Sequence, residues 1–183
     1  MPLESTLRHL DSLYAGSDDP WNHRTSPYEQ SKFAATLAAV GEGPFRNALE
    51  IGCGNGTLLA LLAPRCHRLI GVDCIPRAVA LARKAVAEHP HVSVCEACIP
   101  AELPALQPDL VLLSEVLYFL GEADIHQLAA WLLARRPRIV CVNWLGSTDE
   151  SQDGTSAMQI FQTALGTTGR TTIHDRYRID VFD

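Results

Sequence analysis

The sequence predicts an α/β fold: a Rossmann-like parallel sheet with helices on both faces and a C-terminal antiparallel hairpin strand. Three observations carry this. Short apolar runs alternate with helical stretches from Ala48 to Leu165, the order of βαβ units. The runs Ala48–Ile51, Leu110–Ser114 and Arg138–Val142 are almost continuously apolar, as strands covered on both faces are. The segments Thr171–His174 and Tyr177–Phe182 alternate polar and apolar around Asp175-Arg176, the pattern of a hairpin.

The elements follow in order. Leu3, Leu7, Leu10 and Leu13/Tyr14 recur at helical spacing and predict a helix over 3–14, broken by Gly16-Ser17-Asp18-Asp19-Pro20. Ser26 reads as an N-cap, Pro27 as the first helical position and Glu29 as the third residue of a capping box. That helix runs from Pro27 to Val40, with Phe33, Leu37 and Val40 on one face, and ends at Gly41-Glu-Gly-Pro44. Strand Ala48–Ile51 leads through a glycine cluster to helix Thr57–Ala63, which Pro64 stops. Strand Arg68–Val72, helix Pro76–Glu88 and strand His91–Cys95 come next. Strand Leu110–Ser114, helix Glu122–Ala134, strand Arg138–Val142 and helix Asp153–Leu165 precede the hairpin. Residues 1–44 read as an N-terminal helical lid and residues 45–183 as the core of a single domain.

A chain of 183 residues fits one domain. Its 47% hydrophobic and 20% charged residues exclude disorder. Fifteen basic against 21 acidic residues, a net charge of −6, argue against a nucleic-acid partner, which would need a basic face. No apolar run reaches the roughly 20 residues of a membrane span, and Met1-Pro2-Leu3-Glu4 does not open a secretory signal. The six cysteines at 53, 66, 74, 95, 98 and 141 read as reduced thiols of a cytoplasmic protein. Cys95-x-x-Cys98 lacks a second pair or histidines at ligand spacing, so no metal is expected. Nothing in the sequence indicates the oligomeric state.

Ligands of such sheets sit just beyond the carboxyl ends of the strands. There the sequence reads Glu50-Ile51-Gly52-Cys53-Gly54-Asn55-Gly56, and Asp73 ends the next strand, 21 positions after Gly52. Glycines let the backbone approach a ligand, and a carboxylate at the second strand end can accept ribose hydroxyls. A dinucleotide site of the G-x-G-x-x-G type would need its third glycine at Thr57. The pattern E-x-G-x-G-x-G is instead that of an S-adenosylmethionine site.

With these residues in view, the sequence resembles the class I S-adenosylmethionine-dependent methyltransferases, and more narrowly the NodS-type nodulation N-methyltransferases. The likeness rests on Asp19-Pro20-Trp21, Ser26-Pro-Tyr28-Glu29-x-x-Lys32, Ala48-Leu49-Glu50-Ile51-Gly52-Cys53, Leu61-x-x-Pro64-x-Cys66, Pro76-Arg77-Ala78 and Ser114-Glu115-Val116-Leu117-Tyr118-Phe119-Leu120. It covers residues 18–145 well and the tail loosely. It implies methyl transfer to the free amine of a deacetylated glucosamine in a chitin-like oligosaccharide. It further implies that Gly52, Cys53 and Gly54 hold the methionine part of the cofactor, Glu50 its ammonium and Asp73 its ribose. Cys74 and Ile75 flank the adenine, Arg24 meets the cofactor carboxylate, and Trp21 closes over it. Ile99 and Ser114 complete this set. Where many relatives carry an acid for the adenine amino group, this chain has Cys98, with Glu96 a candidate substitute.

Methyl transfer from a sulfonium is a direct displacement that demands alignment and an unprotonated amine. Glu115 is the leading candidate to orient the amine or receive its proton, with a helix-capping role as the equal alternative. Tyr118 bonds the substrate or packs on the core. His23 stands in the lid beside Trp21 and completes the catalytic candidates, whereas Glu29 has its capping explanation and His126 reads as a surface residue. Asn143, Trp144 and the polar loop Ser147-Thr148-Asp149-Glu150-Ser151 follow the fifth strand and suit a hydroxyl-rich or cationic substrate, or plain solvent. No Ser-His-Asp arrangement is present, and no Asn/Asp-Pro-Pro-Tyr/Phe element of a DNA-base methyltransferase follows strand four. The expected activity is thus N-methylation of a small molecule. An O-methyltransferase and a non-catalytic cofactor-binding module are the alternatives.

Overall fold

The computed structural model describes residues 4–148, 150 and 152–183. Its elements are α1 (Glu4–Gly16), α2 (Pro27–Val40), β1 (Ala48–Ile51), α3 (Thr57–Leu62), β2 (Leu69–Asp73), α4 (Pro76–Ala85) and β3 (Val92–Glu96). They continue as β4 (Leu110–Ser114), α5 (Glu122–Arg135), β5 (Arg138–Trp144), α6 (Gly154–Leu165), β6 (Arg170–Ile173) and β7 (Tyr177–Phe182). Short 3₁₀ turns lie at Ala63–Arg65 and Leu117–Phe119. Leu3, at the start of the expected first helix, lies outside the described residues.

The strands form one sheet in the order β3-β2-β1-β4-β5-β7-β6, with β7 antiparallel to both of its neighbours and the strands from β3 through β5 parallel. The expected architecture is therefore present. Chain order reverses between β1 and β4, where Ile51 stands beside Leu113. A crevice at the carboxyl ends of two such strands is where an open α/β sheet binds its ligand.

Alternation along the strands divides the core in two. Leu49, Ile51, Val111, Leu113, Ile139 and Cys141 face α5 and α6, packing on Ile125, Leu128, Leu132, Met158 and Phe161. Ala48, Leu110, Leu112, Val140 and Val142 face α2, α3 and α4 through Phe33, Leu59, Leu62 and Val79. Helix α1 packs apart from both, seating Tyr14 on Ile75, Ala78 and Leu81.

The boundaries differ from expectation where tertiary pairing intervenes. Strand β5 runs two residues past Val142, because β7 pairs Asn143 with Arg178 and Trp144 with Tyr177. Helix α4 stops at Ala85 rather than Glu88, since Val86 leaves helical geometry. Asp153 is the N-cap of α6, accepting from the Ser156 N–H at 2.7 Å, so the helix proper starts at Gly154. β6 alternates in sequence yet buries none of its residues, because it is the outer strand with no helix beneath it. No described helix is long and apolar enough to cross a membrane.

Phe161 is fully buried between α6 and the sheet and edges onto Phe182 at 5.9 Å. Phe161→Ala should lower unfolding free energy by about 3–5 kcal/mol in denaturant titration. A loss below about 1 kcal/mol would contradict this packing.

Candidate active site

Of the site residues expected from sequence, all but Arg24 and Cys98 line one cavity of about 540 Å³ at the carboxyl ends of β1, β2, β4 and β5. Its two ends are built differently.

At the first end, β1 runs into a loop whose glycines adopt left-handed geometry, φ +71° at Gly52 and +53° at Gly54. A Cβ at Gly52 would stand 2.4 Å from a Val116 methyl, and one at Gly54 would stand 3.0 Å from the Tyr14 hydroxyl. The loop therefore lies tight against β4's exit on one side and α1 on the other. Asp73 fixes it from β2: Oδ2 accepts from the Gly54 N–H at 2.9 Å and Oδ1 from the Ile75 N–H at 2.9 Å. Burial pushes the Asp73 carboxyl up, and the N–H groups of Ile75, Gly54 and Cys74 oppose that. Glu50 is 1% exposed, and its Oε2 has no hydrogen-bond partner among the described residues. Burial, then the charge of Asp73, raises its pKa well above the ordinary carboxyl value. A buried carboxylate oxygen without a partner is costly unless a ligand satisfies it.

The segment before α2 is clasped onto this loop. Buried Asn55 donates to Asp19 Oδ1 at 2.9 Å and accepts from the Thr57 N–H and hydroxyl. The Asp19 carboxylate also accepts from the N–H groups of His23 and Arg24. This turn sets Trp21 between Tyr14 and His23, with ring centroids 5.7 and 5.6 Å away. The same turn keeps Arg24 exposed, its guanidinium at the Asp18 carbonyl rather than in the cavity. The expectation that Arg24 meets the cofactor carboxylate finds no support in this placement. Cys98 also stays off the cavity wall, although its neighbours Ala97 and Ile99 are on it. Its backbone is tied to Glu102 and its thiol to Cys74. Glu96 is exposed on edge strand β3 and is not among the residues that line the cavity.

The second end centres on Lys32, which sequence reading used only as part of a motif. Its Nζ lies 3.0 Å from Glu115 Oε1 and 3.1 Å from Glu29 Oε2, and the residue is 4% exposed. Burial pulls the Lys32 pKa down, but Glu115 and Glu29 outweigh it and hold the ammonium above its usual range. Glu115 sits at φ +60°, a strained setting for a non-glycine residue. Its Oε2 accepts from the Tyr118 hydroxyl at 2.9 Å and the Trp144 N–H at 3.0 Å. Burial, then the Glu115 charge, raises the Tyr118 pKa well above that of a free phenol.

The capping box is only half formed. Ser26 accepts from the Glu29 N–H at 3.4 Å, but the Glu29 carboxylate turns inward to Lys32 instead of back to the cap. The Ser26 N–H bonds Asn22 instead. A buried ammonium attracts a carboxylate more strongly than a neutral backbone N–H does. His23 Nε2 is 3.8 Å from the same Glu29 oxygen, and burial lowers the His23 pKa, leaving a neutral imidazole at pH 7.

Aromatic rings wall this end: Tyr28 meets Trp144 and Tyr177 edge to face at 6.3 and 6.2 Å. Ser147, Thr148 and Glu150 reach the cavity, and Glu150 accepts from Thr6 of α1 at 2.6 Å. Asp149 and Ser151 of that loop lie outside the described residues. Asn143 is buried away from the cavity and His126 is on the surface of α5. Among the described residues, no three His, Cys, Asp or Glu side chains are grouped to hold a metal.

Glu29 and Lys32, three apart on α2, were legible as neighbours on one helix face. Nothing local marked Asn55, whose partner is 36 residues away.

Lys32→Met leaves two carboxylates facing each other without a cation, and should destabilise the protein by about 3–5 kcal/mol in denaturant titration at pH 7. His23 predicts a pH effect of defined sign. Its folded pKa lies below its unfolded one, so the unfolded state binds more protons and stability falls as pH drops below about 6.5. Thermal unfolding of His23→Asn should show a shallower acid loss than wild type, and parallel curves would refute the burial argument.

The model of the nodulation protein S (NodS) family matches residues 7–134. Nodulation protein S of Rhizobium tropici is 33% identical over 120 residues, which are 65% of this chain and 50% of that protein. The Sinorhizobium fredii protein is 32% identical over 130 residues, 68% and 60% respectively. The chain thus spans about half to three fifths of the length of these relatives. Among solved structures, N-methyltransferase NodS from Bradyrhizobium japonicum WM9 with S-adenosyl-L-homocysteine has a TM-score of 0.81 at 22% identity, covering 98% of both chains. A candidate methyltransferase from Pseudomonas syringae has a TM-score of 0.73 at 32% identity, covering 85% of this chain and 97% of that one. With the family model spanning well over half of its residues, the chain belongs to the nodulation protein S family.

Proposed function

We propose that this chain transfers a methyl group from S-adenosylmethionine to the amine of a small molecule, the favoured acceptor being an amino sugar of a deacetylated chitin-like oligosaccharide. The carrying observation is one cavity with two matched ends. The orphaned Glu50 carboxylate, the glycine cradle and Asp73 occupy one, and the cluster of Glu29, Lys32 and Glu115 occupies the other.

The first end fits the donor. Glu50 would take its ammonium, the Gly52–Gly54 backbone its amino-acid part, Asp73 its ribose hydroxyls, and Cys74, Ile75 and Ile99 its adenine. Ser114 and Trp21, which line the same cavity, would complete the enclosure of the donor. When bound, the donor supplies a methyl group activated by a sulfonium. The second end suits an amine. Two carboxylates and one ammonium leave a net charge of −1, and Tyr28, Trp144 and Tyr118 offer the ring faces and hydroxyls that sugars and ammonium groups favour. Residues 1–44 serve as a lid in this reading. The six free cysteines fit a cytosolic setting, and the acidic balance speaks against a nucleic-acid partner.

Calorimetric titration with S-adenosylhomocysteine should give saturable binding, and no heat would overturn the donor site. Asp73→Ala should weaken that binding by about 1.5–3 kcal/mol, the worth of hydrogen bonds to a charged group. Labelled methyl should then appear on deacetylated chitin oligosaccharides and not on phenols, and labelled phenols would overturn N-transfer.

A further inference from the structure

We propose that Glu29 and His23 form the proton-accepting pair of the acceptor site, and that Lys32 and Glu115 position Glu29 rather than take the proton. This rests on the methyl-transfer reading above and deepens it.

Glu115 carries three bonds: Lys32 on one oxygen, the Tyr118 hydroxyl and the Trp144 N–H on the other. A proton on Glu115 would disrupt the contacts that hold α2, the Tyr118 turn and the end of β5 together. Lys32 is already protonated. Glu29 has fewer ties. Its Oε2 is itself buried, within ion-pair distance of Lys32 but in no aligned hydrogen bond, and the residue lines the cavity. A proton on Glu29 leaves Lys32 still paired with Glu115 at 3.0 Å.

His23 lies 3.8 Å from the same oxygen and lines the cavity beside Glu29, and its side chain is 22% exposed against 5% for Lys32. In this proposal a proton taken up by Glu29 leaves by way of His23. Facing this pair are Lys32 and Tyr28 from α2, Asp19 from the preceding turn, Glu115 and Tyr118 beyond β4, and Tyr177 from β7. The amine arrives as an ammonium, matching the cluster's single net negative charge, and gives one proton to Glu29. Its freed lone pair forms the N–C bond as the donor's S–C bond breaks, and that bond's electron pair stays on sulfur. The methylated nitrogen leaves as an ammonium, and the proton passes through His23 to solvent, one per turnover.

The test uses the full chain with a deacetylated chitin oligosaccharide as acceptor. Glu29→Gln should lower kcat by about 10²–10⁴-fold while S-adenosylhomocysteine affinity stays within about twofold. His23→Ala should lower kcat, move the acid limb of the kcat–pH profile, and recover partly with imidazole in the buffer, which a packing defect would not do. Retained kcat in Glu29→Gln, or an unmoved acid limb in His23→Ala, overturns the pair. A second measurement needs no acceptor. In the ¹⁵N spectrum of the S-adenosylhomocysteine complex, Glu29→Gln should shift the His23 titration to lower pH, since the carboxylate favours its protonated form. An unshifted titration overturns the pair, whereas a wild-type protein that forms no product from the oligosaccharide overturns the acceptor reading instead.

Discussion

A single buried ammonium ties together the parts of this protein that meet at its cavity. Lys32 projects from α2, outside the sheet, and finds Glu115 at the exit of β4. Through Glu115 the tie extends to the Tyr118 turn and to the backbone of Trp144 at the end of β5. Burying a cation without partners is costly, so the Lys32 contact favours the placement of α2 that brings Glu115 within reach. The second wall of the cavity follows from that requirement. Tyr28 and Glu29 share the first turn of α2 and are carried to the aromatic rings and to His23 by the same placement.

The sheet was legible in the sequence because its signals are local. Continuous apolar runs at β1, β4 and β5, a glycine cluster after β1 and prolines at helix starts each constrain a few consecutive residues. Right-handed crossovers then decide on which face of the sheet each connecting helix lies. The site was legible where chemistry and position coincide, as at Glu50, Gly52 and Asp73, all at strand ends. It was less legible where a residue's role depends on a distant partner. Glu29 satisfies a capping rule and yet turns inward, because the competing cation comes from Lys32 within a fold that buries both. Arg24 looks available for a carboxylate, but the Asp19 cap on its own N–H turns its side chain outward. Cys98 sits at the expected distance along the chain, while the loop after β3 presents Ala97 and Ile99 instead.

Charge is distributed unevenly over the cavity. The glycine-loop end gathers Glu50 and Asp73 with no cation among the residues bonded to them, so burial raises both carboxyl pKa values. The Lys32 end includes its own cation and raises that cation's pKa instead. The first arrangement leaves unmet demand for positive charge and hydrogen-bond donors, the second a nearly balanced cluster.

Glu115 has a consequence for how this lineage can vary. Its left-handed backbone, at φ +60°, is where glycine rests without strain. Drift under selection for folding alone would favour glycine there, since strain of this kind costs on the order of 1–3 kcal/mol. Yet glycine would remove the oxygens on which Lys32, Tyr118 and Trp144 converge. The backbone and the side chain at one position thus make opposing demands. A relative with glycine at this position would have to rebuild the α2 contact from other residues.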